Sequence, residues 1–225
     1  MDNMNKYAII VAGGKGIRMN SDLPKQFIEL NGLPLLMHTF NAFHSFDSTI
    51  QYILVLPEHN IPVWKELCIK YNFNTEHKIT IGGETRFHSV KNGLSLIRDE
   101  GIVFIHDGVR PLVSSATISN CYETALEKGN ALPVISQSES LREIRDNSNI
   151  SVDRSRYFSV QTPQTFRVSL IKNAYEQPYS EHFTDDATVL ESKGYAINIV
   201  EGNRQNIKIT YPEDIIIAEA LLKNI

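Results

Sequence analysis

Three glycines and three basic residues stand close together near the start of the chain, in Ala12-Gly13-Gly14-Lys15-Gly16-Ile17-Arg18-Met19 and Pro24-Lys25-Gln26. A glycine-rich turn lets backbone N–H groups approach a polyphosphate, and Arg18 and Lys25 add positive charge beside it. The spacing fits neither common phosphate loop. A P-loop needs Gly-x-x-x-x-Gly-Lys-Ser/Thr, and a dinucleotide fingerprint needs a third glycine where this chain has Met19. Taken alone, the segment also reads as a tight turn between a strand and a helix.

Two further clusters carry groups of the same kind. In Gly82-Gly83-Glu84-Thr85-Arg86-Phe87-His88-Ser89-Val90, small residues and hydroxyls open a helix, an arrangement that can hold a base or ribose through the backbone. Glu84 suits the positive end of the helix dipole, and a capped helix start is the plain alternative. In His106-Asp107-Gly108-Val109-Arg110-Pro111, an aspartate ends an apolar run, where it can bind a metal ion or a ribose hydroxyl, and Arg110 can steady a phosphate. His106 reads as a hydrogen-bonded core residue. Later come Asp153-Arg154, Gln161-Thr162-Pro163-Gln164-Thr165-Phe166, Thr184-Asp185-Asp186-Ala187 and Gly202-Asn203-Arg204-Gln205-Asn206-Ile207-Lys208-Ile209-Thr210. Each has a structural reading as an ion pair, a proline turn, a helix cap or a strand end. Together they put Arg154, Lys208 and several hydroxyls at the ends of elements.

These groups need a scaffold, and apolar runs at 7–11, 52–56, 79–81, 102–105, 131–135 and 197–200 predict its strands. Several are apolar on both faces, as a sheet covered by helices requires. Leu36, Phe40 and Phe43 mark one helix after Pro34; Val90, Leu94 and Ile97 another. Ile118, Tyr122 and Ala125 mark a third, capped by Ser114-Ser115 and stopped by Gly129. Val168, Ile171 and Tyr175 mark a fourth, and a last helix beginning near Thr210-Tyr211-Pro212-Glu213 buries Ile215, Ile216 and Leu222. The fold class expected is α/β: one domain over 1–225, a three-layer sandwich with a mainly parallel, Rossmann-like twisted sheet and its ligand at the carboxyl ends of the strands. Residues 138–156 break the alternation. They read as a polar hairpin with its turn at Asp146-Asn147-Ser148-Asn149, an arm too small to stand alone that leans on another surface such as a second subunit.

The 225 residues carry a net charge of −4 with 21% charged and 42% hydrophobic residues, which argues against a nucleic-acid binder and for a small partner. No apolar run is long enough for a membrane span or a signal peptide, and no histidine or cysteine spacing suggests a zinc site. Cys68 and Cys121 stand apart, as expected in a reducing cytoplasm.

Taken in order, these motifs resemble the 2-C-methyl-D-erythritol 4-phosphate cytidylyltransferase family, over nearly the whole chain from Tyr7 to the last helix. The resemblance implies cytidine triphosphate (CTP) and a sugar-alcohol phosphate as substrates, a cytidine diphosphate product, pyrophosphate and magnesium. It implies catalytic roles for Arg18, Lys25, Arg154 and Lys208. Ala12, Gly13, Gly14, Lys15, Gly16, Gly83, Glu84, Ser89 and Asp107 would bind the nucleotide, and Asp107, Arg110, Ser140, Arg154, Thr162, Thr184 and Lys208 the acceptor. Magnesium would be held mainly by the triphosphate with Asp107 as its partner on the chain. The 138–156 arm would carry Arg154 into the partner of a homodimer. Gly108-Val109 stands where family members commonly carry Ala-Ala, and Ser140 where they carry a substrate-binding Thr. A ribitol-5-phosphate cytidylyltransferase and a non-catalytic nucleotide-binding protein of the same fold are the competing readings.

Overall fold

The computed structural model describes residues 4–14 and 23–223. After β1 (Asn5–Val11) and a 3-10 turn (Lys25–Phe27) come the short pair β2 (Glu29–Leu30) and β3 (Leu33–Pro34), then α1 (Leu35–Phe46) and β4 (Gln51–Leu56). Next are α2 (Ile61–Lys70), β5 (His77–Ile81), α3 (Arg86–Ser95), β6 (Gly101–Asp107), α4 (Ser115–Lys128) and β7 (Asn130–Ser136). A hairpin of β8 (Leu141–Arg145) and β9 (Ser148–Val152) precedes β10 (Phe158–Val160), β11 (Gln164–Arg167), α5 (Val168–Ala174), α6 (Asp186–Glu191), β12 (Ile199–Glu201) and α7 (Pro212–Leu222).

Eight strands form one sheet in the order β10-β7-β11-β6-β1-β4-β5, with β12 on β7. All but β10 and β11 run in the same direction. The sheet is therefore mainly parallel. Both of its faces are covered, and β1 shows how its sequence demands this. Ala8 and Ile10 face Leu36, Phe40, Phe43 and Trp64 on one side, whereas Tyr7 and Ile9 face Phe87, Val90 and Leu94 on the other. A strand apolar at successive positions can bury every side chain only between two helical layers.

Helix ends follow local chemistry. The Ser114 hydroxyl accepts from Thr117 N–H at 3.1 Å to start α4, and Gly129, at φ +91°, stops it in the left-handed conformation that costs glycine least. Asp185 opens α6 through a reciprocal box, its carboxylate accepting from Thr188 N–H at 2.9 Å while the Thr188 hydroxyl accepts from Asp185 N–H at 3.2 Å.

Four expectations need correction. Residues 164–166 were expected in a proline turn, but Gln164–Arg167 is the reversed strand β11, inserted between β6 and β7 with Phe166 buried. A four-residue strand preceded by proline carries too short an alternation to be read, and long-range pairing creates it. The hairpin turns at Asp146-Asn147, with Asp146 at φ +24°, rather than across 146–149, so Ser148 and Asn149 belong to β9. In α7, Ile216 is 70% exposed instead of buried. The stripe that meets Leu30, Leu35 and Val109 runs through Ile215, Ala218 and Leu222, and Ile216 lies off it. The last predicted strand starts at Ile199, because Asn198 N–H donates to the Asn130 side chain at 2.9 Å before the ladder begins.

Candidate active site

Chain connections leave β1 in opposite directions at the middle of the sheet, first to β4 and β5 and later back across to β6. Such a reversal opens a crevice at the carboxyl ends of the two strands. Val11 and Asp107, the last residues of β1 and β6, lie side by side there. A cavity of about 250 Å³ fills the crevice, lined by residues 11–14, Lys25, Gln26, residues 83–86, Ser89, Asp107, Val109 and Lys208.

Backbone bonds build its floor. Ala12 N–H donates to the Val55 carbonyl and Gly108 N–H to the Val11 carbonyl, each at 2.9 Å, and the buried Gln26 amide donates to the Ala12 carbonyl at 2.9 Å. This holds Ala12, Gly13 and Gly14 open to the cavity. Lys25 reaches across and donates to the Ile209 carbonyl at 3.4 Å, which places it beside Lys208. Lys15, Gly16 and Arg18 lie outside the described residues.

The second wall is the entry to α3. Gly83 N–H donates to the Ser89 hydroxyl at 3.0 Å, and Thr85 caps the helix. Gly83 is needed for close approach: a Cβ there would come within 2.3 Å of His88 Cβ. Gly83→Ala is expected to lower stability by about 1–3 kcal/mol in urea unfolding through this overlap. An unchanged unfolding midpoint would rule out that packing.

Asp107 is the hub. Its Oδ2 lies 2.9 Å from Lys208 Nζ and 3.4 Å from Arg110 Nε, and its Oδ1 3.8 Å from Arg86 Nε. Burial pushes the carboxyl up, and Arg86, Lys208 and Arg110 outweigh burial and hold it far below the usual carboxylate range. Burial lowers Arg110, against the pull of Asp107. Lys208, at 45% side-chain exposure, is the member most open to solvent.

Arg86, in the 82–90 cluster, has a role that its sequence neighbours do not reveal. Its guanidinium grips the fully buried Asp186 with two bonds of 2.8 and 2.7 Å, and Tyr175 donates to the same carboxylate at 2.6 Å. Burial opposes the charge of Arg86, but Asp186 and then Asp107 raise its pKa. One signal was available: an arginine in the first turn of a helix opposes the dipole and calls for a dedicated acidic partner.

The loop that delivers Lys208 is pinned at several points. Gln161 donates to the Asn203 carbonyl at 2.9 Å, Asn206 Nδ2 to the Thr162 carbonyl at 2.8 Å, and Arg110 Nη1 to the Asn206 carbonyl at 2.8 Å. Thr162 is buried, does not line the cavity, and accepts from Asp107 N–H at 3.1 Å. Thr184, Ser140 and Arg154 are exposed and do not line it either; Arg154 donates to the Ser138 carbonyl at the base of the arm. Glu84 is exposed at the rim.

Burial pushes His106 down to about 4, so the native state keeps it neutral. A histidine with a depressed folded pKa binds protons more readily when unfolded; its stabilisation is present above the unfolded value of roughly 6.5 and is lost as pH falls towards 4. Stability is expected to fall by an amount of order 3 kcal/mol across that window, and His106→Asn to flatten the slope. Urea unfolding at several pH values measures both, and an identical slope in the variant would refute the assignment.

Among the described residues no three metal-ligating side chains come together, and no helix is long and apolar enough to cross a membrane. A family model described as 2-C-methyl-D-erythritol 4-phosphate cytidylyltransferase matches residues 7–224. The relative of that name from Phocaeicola vulgatus is 52% identical over 219 residues, covering 97% of this chain and all of its own, and that from Geobacillus kaustophilus is 38% identical over 222 residues with 97% of each covered. Solved structures agree. The 4-diphosphocytidyl-2C-methyl-D-erythritol synthase of Anaerococcus prevotii superposes with a TM-score of 0.83 at 28% identity, covering 99% of this chain and 97% of its own. The Thermus thermophilus 2-C-methyl-D-erythritol 4-phosphate cytidylyltransferase gives 0.80 at 28%, covering 98% and 100%. With a glycine-lined crevice at the strand ends, a basic cluster around Asp107 and relatives matched from end to end, the chain belongs to the 2-C-methyl-D-erythritol 4-phosphate cytidylyltransferase family of nucleotidyltransferases.

Proposed function

We propose that this chain joins CTP and 2-C-methyl-D-erythritol 4-phosphate to give 4-diphosphocytidyl-2-C-methyl-D-erythritol and pyrophosphate, a cytoplasmic step of the non-mevalonate isoprenoid pathway in keeping with the free thiols Cys68 and Cys121. The observation that carries this reading is the placement of Arg86, Arg110 and Lys208 around Asp107, directly beside the open loop 12–14. Two anions must meet, so the chain's task is to neutralise charge and align the groups. An oxygen of the acceptor phosphate attacks the α-phosphorus of CTP, the bond to the β-phosphate oxygen breaks, and pyrophosphate leaves.

Within this reading Ala12, Gly13 and Gly14 offer backbone to the triphosphate, joined by Lys15 and Gly16, while Gly83, Glu84 and Ser89 hold the base and ribose. Arg18 and Lys25 stabilise charge at the α-phosphate and on the departing pyrophosphate. Asp107, Arg110 and Lys208 receive the acceptor, with Ser140, Arg154, Thr162 and Thr184 as its remaining contacts. The donor set suits a divalent ion carried in on the nucleotide: Oδ2 of Asp107 is taken by Lys208 and Arg110, which leaves Oδ1, 3.8 Å from Arg86 Nε, as the carboxylate oxygen more open to an ion. Magnesium, when bound there, neutralises triphosphate charge.

The arm gives a reason to place Arg154 in a partner subunit. β8 and β9 pair only with each other among the described residues, and Ile144, Ile150, Phe158 and Ile199 are exposed. A homodimer that covers them brings Arg154 to the other chain's cavity. Sedimentation of the full chain is expected to give a dimer that Ile144→Asp weakens; a monomer at every concentration would overturn this.

Pyrophosphate release with each acceptor tests the activity. Turnover is expected with 2-C-methyl-D-erythritol 4-phosphate, and equal or better turnover with ribitol 5-phosphate would replace it as the substrate.

A further inference from the structure

Between β12 and α7 the chain runs without a helix or a strand ladder, so side-chain bonds must fix where this loop puts Lys208. Asn203, upstream of Lys208 in the loop, supplies several. Its Nδ2 donates to the Leu112 carbonyl at 3.0 Å, and its Oδ1 accepts from Ser114 N–H at 3.2 Å and from the Thr117 hydroxyl at 3.1 Å. The partners settle which way the amide faces, since a backbone carbonyl can only accept and an N–H can only donate. The Thr117 oxygen accepts from the Ser114 hydroxyl at 3.0 Å, so its own proton goes to Asn203. Further along, Arg110 Nη1 donates to the Asn206 carbonyl at 2.8 Å and Ile209 N–H to the Val109 carbonyl at 2.9 Å. Segment 203–209 therefore lies antiparallel to segment 109–117 and is laced to it at both ends. Asp107 leads into one segment and Lys208 stands in the other, with Oδ2 and Nζ 2.9 Å apart.

We infer that Asn203 is a positioning residue for the transfer reaction: by tying the loop to the entry of α4, it sets the register that brings the Lys208 ammonium to Asp107. Gln161 also holds Asn203, through its main-chain N–H at 3.2 Å and its carbonyl at 2.9 Å, but those bonds anchor the loop to the turn before β11. The Asn203 side chain is the tie to the segment beyond Arg110. Without it the Leu112 carbonyl and the Ser114 N–H lose that partner, and the loop can pivot about the bond between Arg110 and Asn206. Lys208 is open to solvent, so its place depends on where the backbone carries it. A misplacement of about 1 Å is enough to cost up to about a hundred-fold in rate. The inference rests on the acceptor assignment proposed above for the role of Lys208; the register is a property of the free chain.

The test is carbon NMR on the full chain with lysine labelled at Cε, the Lys208 resonance being assigned by its loss in Lys208→Gln. In Asn203→Ala that resonance is expected to move, because the ammonium leaves the Asp107 carboxylate. Ser114→Ala removes the hydroxyl that caps α4 but keeps the N–H that donates to Asn203, so it is expected to lower the urea midpoint and leave the resonance in place. Thr117→Val deletes one of the bonds to Asn203 and is expected to give a smaller shift in the same direction. In the pyrophosphate assay Asn203→Ala is expected to lower kcat/KM for 2-C-methyl-D-erythritol 4-phosphate about ten-fold, while the CTP dissociation constant from calorimetry stays within about two-fold. An unmoved resonance in Asn203→Ala, or in Thr117→Val should the first variant fail to fold, overturns the inference. So does a shift of equal size in Ser114→Ala, which would reduce Asn203 to a part of the helix cap, or an equal loss of CTP affinity. The resonance needs no turnover, so this failure is separable from a failure of the acceptor assignment, which the comparison of acceptors reads.

Discussion

Arg86→Met is expected to destabilise the protein by about 3–5 kcal/mol, the range for removing one partner of a buried ion pair. The cost comes from what is left behind. Asp186 has no exposure, and after the substitution Tyr175 alone of the contacts described would still donate to its carboxylate. Methionine fills much of the volume, so the loss is mainly electrostatic. The pair also ties α3 to α6 on one face of the sheet: the Gln164 side chain accepts from Ala187 N–H at 2.8 Å and donates to Asp185 at 2.8 Å, so Asp186 sits on a segment already docked to β11. Replacing both charges, as Arg86→Met with Asp186→Leu, is expected to recover much of the loss, since no lone charge is then buried. Urea unfolding of the three variants checks this. A single-variant shift under roughly 0.5 kcal/mol, the size of an exposed pair, would show that the contact is worth no more than one at the surface.

The second large effect is kinetic. Lys25→Ala is expected to lower kcat for pyrophosphate release by about a hundred-fold or more while changing CTP affinity far less, because its charge is most needed as the transition state forms. Position supports this. Lys25 lies against residues 12–14, where a Cβ on Gly14 would meet its Cε at 3.5 Å, and it bridges to Ile209 next to Lys208. It therefore sits between loop 12–14 and Lys208, the two sides proposed for the nucleotide and the acceptor. Binding measured by calorimetry and turnover by pyrophosphate release separate the two quantities. If both are untouched in the variant, the role assigned to Lys25 is wrong.

How legible a residue was depended on how far away its partner lies. Ser114, Gly129 and Asp185 were readable as caps because a cap acts within four residues, and β1 was readable because burial on both faces leaves an unbroken apolar run. Asp107 was readable as the acidic end of β6 because a strand end is also a local feature. Arg86 carried no role in the sequence reading, since its partner lies 100 residues later, and the bond between the Thr162 hydroxyl and His106 spans 56 residues and left no local signal. The strand β11 was taken for a turn because its four residues gain their β structure only from Ile102–Ile105 of β6 and the start of β7.

The sequence by itself determined the alternation of strands and helices, the glycine loop after β1, the acidic end of β6 and the hairpin that stands apart, all through periodicity, capping and turn chemistry acting over a few residues. Only the tertiary structure decided which charges face one another. Lys208 and Arg86 come to Asp107 from loops and helices far along the chain, and Arg110 is anchored to Asn206, 96 residues on. Long-range electrostatic pairing depends on where packed layers bring side chains together in three dimensions, and no local pattern records that distance.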